Sequence, residues 1–153
     1  MTTIVSIDEL REMAGTDLGT SEWMQIDQDR IDAFADVTED HQFIHVDPEA
    51  AKATPWGTTI AHGFLSLSLI PFLTASAGIV PEGMVMAINY GSDKVRFLEA
   101  VKVGSDVRAK VRLADVTSKG PGRWLFKTDV TVEIRGSEKP ALIAETLSMF
   151  IVQ

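Results

Sequence analysis

The hydrophobic pattern changes period once along this chain, near residue 85. Before that point apolar positions recur at helical spacing, and after it they alternate. Residues 6–14 read as a short helix and residues 21–26 as a strand. Asp27 or Asp29 is placed to cap a helix running to about Val37, with Ile31, Phe34, Ala35 and Val37 toward the interior. Residues 38–59 are polar and punctuated by Pro48, Pro55 and Gly57, which predicts loop with a short helix after Pro48. Residues 60–77 are apolar almost all round, through Phe64, Leu65, Leu67, Leu69, Ile70, Phe72 and Leu73. That is the signature of a buried helix. Thr58 or Thr59 could cap it, Pro71 predicts a bend within it, and Gly78 and Pro81 end it.

In the second half, Val107, Ala109, Val111 and Leu113 alternate with Arg108, Lys110 and Arg112. Phe126, Thr128, Val130, Val132 and Ile134 alternate with Lys127, Asp129, Thr131 and Glu133. Both runs predict half-buried strands. Residues 85–90, 93–97 and 142–152 are further strand candidates, and residues 119–122 and 136–140 read as turns. Helices followed by about four strands on short turns predict an α+β fold with an antiparallel sheet. A sheet that wraps the apolar helix satisfies both.

The length of 153 residues fits one domain over 1–153, and 45% hydrophobic content supplies a core. With no cysteine, disulfides, thiolate metal sites and thiol nucleophiles are excluded. The first 15 residues carry Asp8, Glu9, Arg11 and Glu12 and read as neither signal nor transit peptide. No apolar run has the length of a membrane span, so a cytoplasmic protein is expected. The net charge of −8 argues against nucleic acid as a partner. It is unevenly distributed: residues 1–90 hold three basic and 14 acidic side chains, residues 91–153 hold 11 and eight. The basic half is either a set of solvated strand faces or a local site for an anionic ligand.

Candidate chemistry is concentrated in 22 positions. All three histidines, His41, His45 and His62, lie there, with Asp40 five positions before His45 and Gly63 directly after His62. A neutral imidazole takes a proton from water, and a nearby carboxylate orients that water or shares the proton. The competing reading is an Asp that caps a turn beside a solvated His. His41, His45 and Asp47 could instead ligate a metal, but the local pattern is not helical and no HExxH motif is present. Gly63 at a helix start would let a ligand carbonyl approach the backbone N–H, as in an oxyanion hole. Alternatively, Gly63 serves close packing and His62 satisfies a buried loop carbonyl.

Taken together, the segment Phe34-Ala35-Asp36-Val37-Thr38-Glu39-Asp40-His41-Gln42-Phe43-Ile44-His45-Val46-Asp47-Pro48 and Ile60-Ala61-His62-Gly63-Phe64-Leu65 resemble the MaoC-like (R)-specific enoyl-CoA hydratases. Within that family the form is similar to the nodulation-protein-N-like branch. Gly91 to Phe97 and Val103 to Val107 also look like family strands, so the resemblance covers most of the chain. It implies a hotdog fold, a homodimer with active sites at the subunit interface, and hydration of a trans-2-enoyl-CoA to the (R)-3-hydroxyacyl-CoA. It implies an acyl-CoA thioester as partner and no cofactor or metal. Asp40 and His45 match the catalytic pair, and Gly63 matches the residue whose N–H meets the thioester carbonyl.

The chain departs from the family pattern twice. His41-Gln42-Phe43-Ile44 stands where many members have an aromatic residue and then Asn-Pro-Leu, so Gln42 is expected to replace the Asn. Pro71 falls where some members place an active-site serine. His62, Lys94 and Arg96 complete the expected substrate-binding set, the last two as basic residues on a strand near the pocket mouth. A thioesterase of the same fold and a non-catalytic acyl-CoA or polyketide-binding protein are the alternatives. An Asp/His pair favours the hydratase, since binding alone requires neither.

Overall fold

The computed structural model describes residues 3–75 and 79–153. The chain begins with β1 (Thr3–Val5) and α1 (Ile7–Glu12). Ser6 caps α1 in a reciprocal capping box with Glu9. β2 (Asp17–Thr20) and β3 (Met24–Gln25) follow, and β3 is much shorter than the strand expected over residues 21–26. Asp27 caps α2 (Gln28–Thr38), donating nothing and accepting from Arg30 N–H at 2.9 Å. Ile31 and Ala35 of α2 are buried, whereas Val37 is exposed rather than interior. The polar segment holds two single-turn helices. α3 (Phe43–Val46) was not legible in the sequence, and α4 (Pro48–Ala51) starts on Pro48 with Asp47 as its cap.

The helix expected over residues 60–77 is two shorter ones, α5 (Gly63–Ser68) and α6 (Ile70–Ala75). The break falls at Leu69, just before Pro71, whose missing N–H and ring prevent an uninterrupted ladder. The N-cap of α5 is His62 rather than Thr58 or Thr59. The segment is also not buried all round. Leu65, Ile70 and Leu73 enter the core, but Phe64 and Phe72 are 66% and 63% exposed. Gly78 lies outside the described residues.

β4 (Ile79–Pro81) pairs in parallel with β1. The remaining strands are β5 (Met84–Phe97), β6 (Asp106–Ser118), β7 (Arg123–Ile134) and β8 (Leu142–Val152). The two strands expected over 85–97 are one, with register shifts against β8 around Gly91. The main sheet is antiparallel in the order β2-β6-β7-β8-β5, with β3 also on β6. Val107, Ala109 and Val111 of β6, Val130 and Val132 of β7, and Leu142 and Ala144 of β8 meet Leu65, Ile70 and Leu73 in one core. The sheet therefore wraps the α5–α6 segment, as the sequence pattern predicted.

Two features bear on the site. The first is β5, an edge strand with exposed Met84, Val85, Met86, Ile88 and Tyr90. A long apolar edge is a template for pairing with another chain. The second is charge pairing on the outer sheet face. Arg108 pairs with Glu133, Arg112 with Asp129, Lys127 with Asp93 and Arg135 with Asp106. Four of the 11 basic residues of the second half are thus neutralised locally. No helix among the described residues is long and apolar enough to cross a membrane.

Candidate active site

The site forms where α3 and the start of α5 meet the end of β5. Residues 59–61 run between them as an extended connector. Thr59 O accepts from Val103 N–H at 3.0 Å, Ile60 N–H donates to Ile44 O at 3.0 Å, and Ala61 N–H donates to Val101 O at 2.7 Å. The Ile60 carbonyl is thereby fixed, and it receives the Nδ1–H of His45 at 2.7 Å. A carbonyl only accepts, so this contact sets the tautomer and leaves His45 Nε2 as a lone pair. Gln28 holds the other side of α3. Its Nε2 donates to the His45 carbonyl at 2.7 Å and to Asp32 at 2.8 Å, while Thr59 Oγ1 donates to its Oε1 at 2.6 Å. Pattern analysis did not single out Gln28, which reads as an ordinary first-turn helix residue.

His45 is buried, at 7% exposure, and is not the solvated loop histidine of the competing reading. Burial holds its pKa below the ordinary imidazole value of 6.5, and the neighbouring His62 adds to this. The Ile60 hydrogen bond and Asp40 oppose it. The imidazole is therefore neutral at pH 7, as a base must be.

His62 stacks on His45 with ring centroids 3.8 Å apart, and its far face meets Phe34 at 5.0 Å. Its Nε2–H donates to the Asp40 carbonyl at 2.9 Å, which ties the loop carrying Asp40 to the start of α5. Its Nδ1 is buried without a hydrogen-bond partner. Side-chain donor atoms of Asp40, His45 and His62 lie within 4.8 Å of one another. The structure thus brings Asp40 and His45 together and adds His62 as a third member. Asp40 follows Glu39, the left-handed cap of α2, and its Oδ1 accepts from Gln42 N–H at 3.4 Å. The metal set weighed from spacing does not assemble: His41 pairs with Asp36 at 2.8 Å, and Asp47 caps α4.

Gly63 is the first residue of α5, and its N–H meets no hydrogen-bond acceptor among the described residues. A Cβ there would lie 3.0 Å from the Phe97 ring, so the glycine lets an aromatic wall approach the backbone. His45, Gly63, Ser66, Phe97 and Glu99 line a pocket of about 240 Å³. Ser66 was overlooked in the sequence. It lies one helical turn after Gly63 on the same side, a spacing that could have found it. Pro71 is not in this pocket. The Gln42 side chain is exposed and makes no hydrogen bond among the described residues. Lys94 and Arg96 alternate with Val95, which packs on the core, and Phe97, which covers Gly63. They therefore stand on the opposite, outer face of β5. Neither is in an ion pair among the described residues.

A curled antiparallel sheet around a helical segment is the hotdog fold, and a neutral imidazole beside a carboxylate at its mouth suits an enzyme of the hydro-lyase class. The family model for the MaoC like domain matches residues 9–134. The chain belongs to that family of dehydratases. It is 47% identical over 151 residues to the 3-hydroxyacyl-thioester dehydratase Z of Mycobacterium tuberculosis, covering 99% of both chains. It is 44% identical over 146 residues to nodulation protein N of Rhizobium leguminosarum bv. viciae, covering 95% of this chain and 91% of the other. Among solved structures, the unliganded R-hydratase PhaJ1 from Pseudomonas aeruginosa superposes with a TM-score of 0.70 at 25% identity, covering 92% of this chain and 83% of that one.

Proposed function

We propose that this protein interconverts trans-2-enoyl and (3R)-3-hydroxyacyl thioesters, with Asp40 and His45 as the acid/base pair. The observation that carries this reading is the Ile60 carbonyl bound to His45 Nδ1–H, which leaves Nε2 unprotonated on a ring that has a nitrogen within 4.8 Å of an Asp40 carboxylate oxygen. In hydration, the Gly63 N–H stabilises charge on the thioester oxygen, and the β-carbon becomes electrophilic. The pair holds a water and takes its proton as the oxygen bonds to the β-carbon. It then returns a proton to the α-carbon, so no net proton is consumed. Dehydration runs the same steps backward. The names of the mycobacterial relative and the R-hydratase support this substrate class. Incubation with crotonyl-CoA tests it: loss of enoyl absorbance without release of free CoA is expected. Free CoA would indicate a thioesterase, and no change in either would indicate a binding protein.

The depressed pKa of His45 sets the acid limb of the pH profile. As pH falls, the base is lost only once it passes the lowered folded-state pKa. The limb of kcat/KM is therefore expected below pH 6.5, measured with crotonyl-CoA from pH 4.5 to 8. A limb well above 6.5 would remove His45 as the base.

Phe97 is assigned to the wall over Gly63. Gly63→Ala is expected to lower kcat about 10- to 100-fold, because the new methyl and the ring compete for one space. Phe97→Ala in the same chain should recover part of that loss, as expected for residues in contact.

The carrier's phosphates are assigned to Lys94 and Arg96. Neither is in an ion pair among the described residues, although Glu145 stands opposite Lys94 on β8, while Arg108, Arg112, Lys127 and Arg135 are paired. Arg96→Ala is expected to raise KM for a CoA thioester with kcat nearly constant, because phosphate contacts hold ground and transition states alike. The effect should shrink for a pantetheine thioester without the nucleotide. An equal penalty on both would assign Arg96 to the fold.

The assembly is assigned as a homodimer. Phe64, whose ring meets Phe97 at 5.8 Å, and Phe72 on the helical segment are exposed, as are Leu98 and five apolar residues along the β5 edge. Burial of these side chains against a second copy joins two sheet edges.

A further inference from the structure

A second void lies in line with the active-site pocket. It has a volume of about 370 Å³ and sits between α6 and the inner face of the sheet. Gly63 and Ser66 line the pocket, and Ile70, Pro71 and Thr74 line the void. Gly63 and Ser66 share one side of α5, and Ile70 and Thr74 share one side of α6, the helix that follows it directly. On β5 the order is the same, with Phe97 at the pocket and Asn89, Ala87 and Met84 at the void. A chain attached to a thioester at Gly63 has this direction to follow.

The lining of the void breaks the rule that the rest of the inner sheet face obeys. Toward the pocket that face is Val130, Val132, Leu142 and Ala144, all buried and apolar. At the void apolar Val111, Leu113, Phe126 and Phe150 continue on that face, but a polar row of Asn89, Thr128, Thr146 and Ser148 crosses it. These four are neighbours: Asn89 is opposite Ser148, and Thr128 is opposite Thr146. The side chains of Asn89, Thr128 and Ser148 have no hydrogen-bond partner among the described residues, and the Thr146 hydroxyl makes one long contact of 3.4 Å to the Thr128 carbonyl. Asn89 is exposed, and Thr128, Thr146 and Ser148 are half-buried, so their polar atoms are open to the void. A site built for a saturated chain alone needs no such row among Leu10, Leu18, Val111, Leu113, Phe126 and Phe150. No charged residue among the described residues lines the void, so it suits a neutral oxygen rather than a carboxylate or an amine.

We propose that the acyl group this protein receives carries a hydroxyl or keto oxygen on its distal part, bound in this void by Asn89, Thr128, Thr146 and Ser148. Hydroxyls and a carboxamide donate and accept, so the patch takes either kind of oxygen. The inference rests on the acyl-thioester reading of the site. It names an oxygenated acyl thioester, not a plain fatty one, as the preferred substrate.

The test uses acyl-CoA pairs without the 2-double bond, which are not turned over. In each pair the chains have equal length, and one carries a hydroxyl or keto group at a position varied along the tail. Binding to the wild type is measured by calorimetry. At one position or more, the oxygenated chain is expected to bind roughly 3- to 30-fold more tightly than its saturated partner. In the triple variant Thr128→Val, Thr146→Val, Ser148→Ala the preference should disappear or reverse, because the saturated tail gains an apolar wall of nearly the same shape. Valine suits strands, and thermal melting at or above the wild-type temperature verifies the fold. Equal affinity within every pair for the wild type, or a preference that survives in the folded triple variant, overturns the proposal. Crotonyl-CoA turnover is measured in parallel. Tail preference without turnover would remove the hydratase reading and leave this one standing, and turnover without tail preference would do the reverse.

Discussion

Asp40→Asn is expected to cut kcat for an enoyl thioester by about 10²–10⁴-fold, the usual contribution of one positioned acid/base group. Its thermal stability should stay near that of the wild type. Asp40 is exposed and makes one long contact with Gln42 N–H, so the amide replaces it without leaving a cavity or a stranded charge. His45→Gln should lose at least as much activity but will not be silent in stability. The imidazole is buried, stacked on His62 and bound to the Ile60 carbonyl. Leaving that carbonyl unpartnered costs about 1–3 kcal/mol. The pair of variants therefore separates chemistry from architecture at neighbouring positions. Near wild-type turnover in either one would sink the catalytic assignment, whatever its melting temperature.

Ile88→Lys is expected to halve the mass measured by light scattering at micromolar concentration and to remove most activity. Ile88 is 47% exposed at the middle of β5, and its neighbours Met86 and Tyr90 are equally open. A lysine on an edge strand is a recognised deterrent to edge-to-edge pairing. Within the protomer the substitution is mild, because the side chain is not in the core. The loss of activity follows from position. Phe97 ends the same strand and lines the active-site pocket, so an edge held by a partner also holds that wall. A variant that is monomeric and fully active would dissociate the site from the assembly.

These expectations show which parts of the molecule the sequence carries openly. The alternation over Val107 to Leu113 and Phe126 to Ile134 reports β6 and β7 directly, since one face of each is buried and the other wet. Asp27 marks the start of α2 because a carboxylate satisfying a first-turn N–H is local chemistry. The central helix was harder. Its uniform apolarity reads as burial on all sides, yet Phe64 and Phe72 are exposed in the protomer. Composition cannot distinguish a side chain covered by its own fold from one left for a second copy. In the site, Asp40, His45 and Gly63 stood out by type and order. Ser66 and Gln28 did not, because their parts depend on neighbours 31 positions away or on a pocket wall at Phe97. The polar row in the second void was visible as Thr128 within a strand pattern, but its partners Asn89, Thr146 and Ser148 only meet it through strand register.

Glu39 has φ 61° and ψ 20°, and among the described residues it alone holds a side chain in the left-handed region. That conformation costs about 1–2 kcal/mol for a residue with a Cβ, and glycine or asparagine would adopt it more readily. The residue directly after it is Asp40. A population selected only for heat resistance will therefore drift toward glycine or asparagine at position 39. Glycine there would also free the following carboxylate to sample more orientations, so survivors of such a screen should be sturdier and slower. At this joint, stability and the aim of the following carboxylate therefore pull in opposite directions.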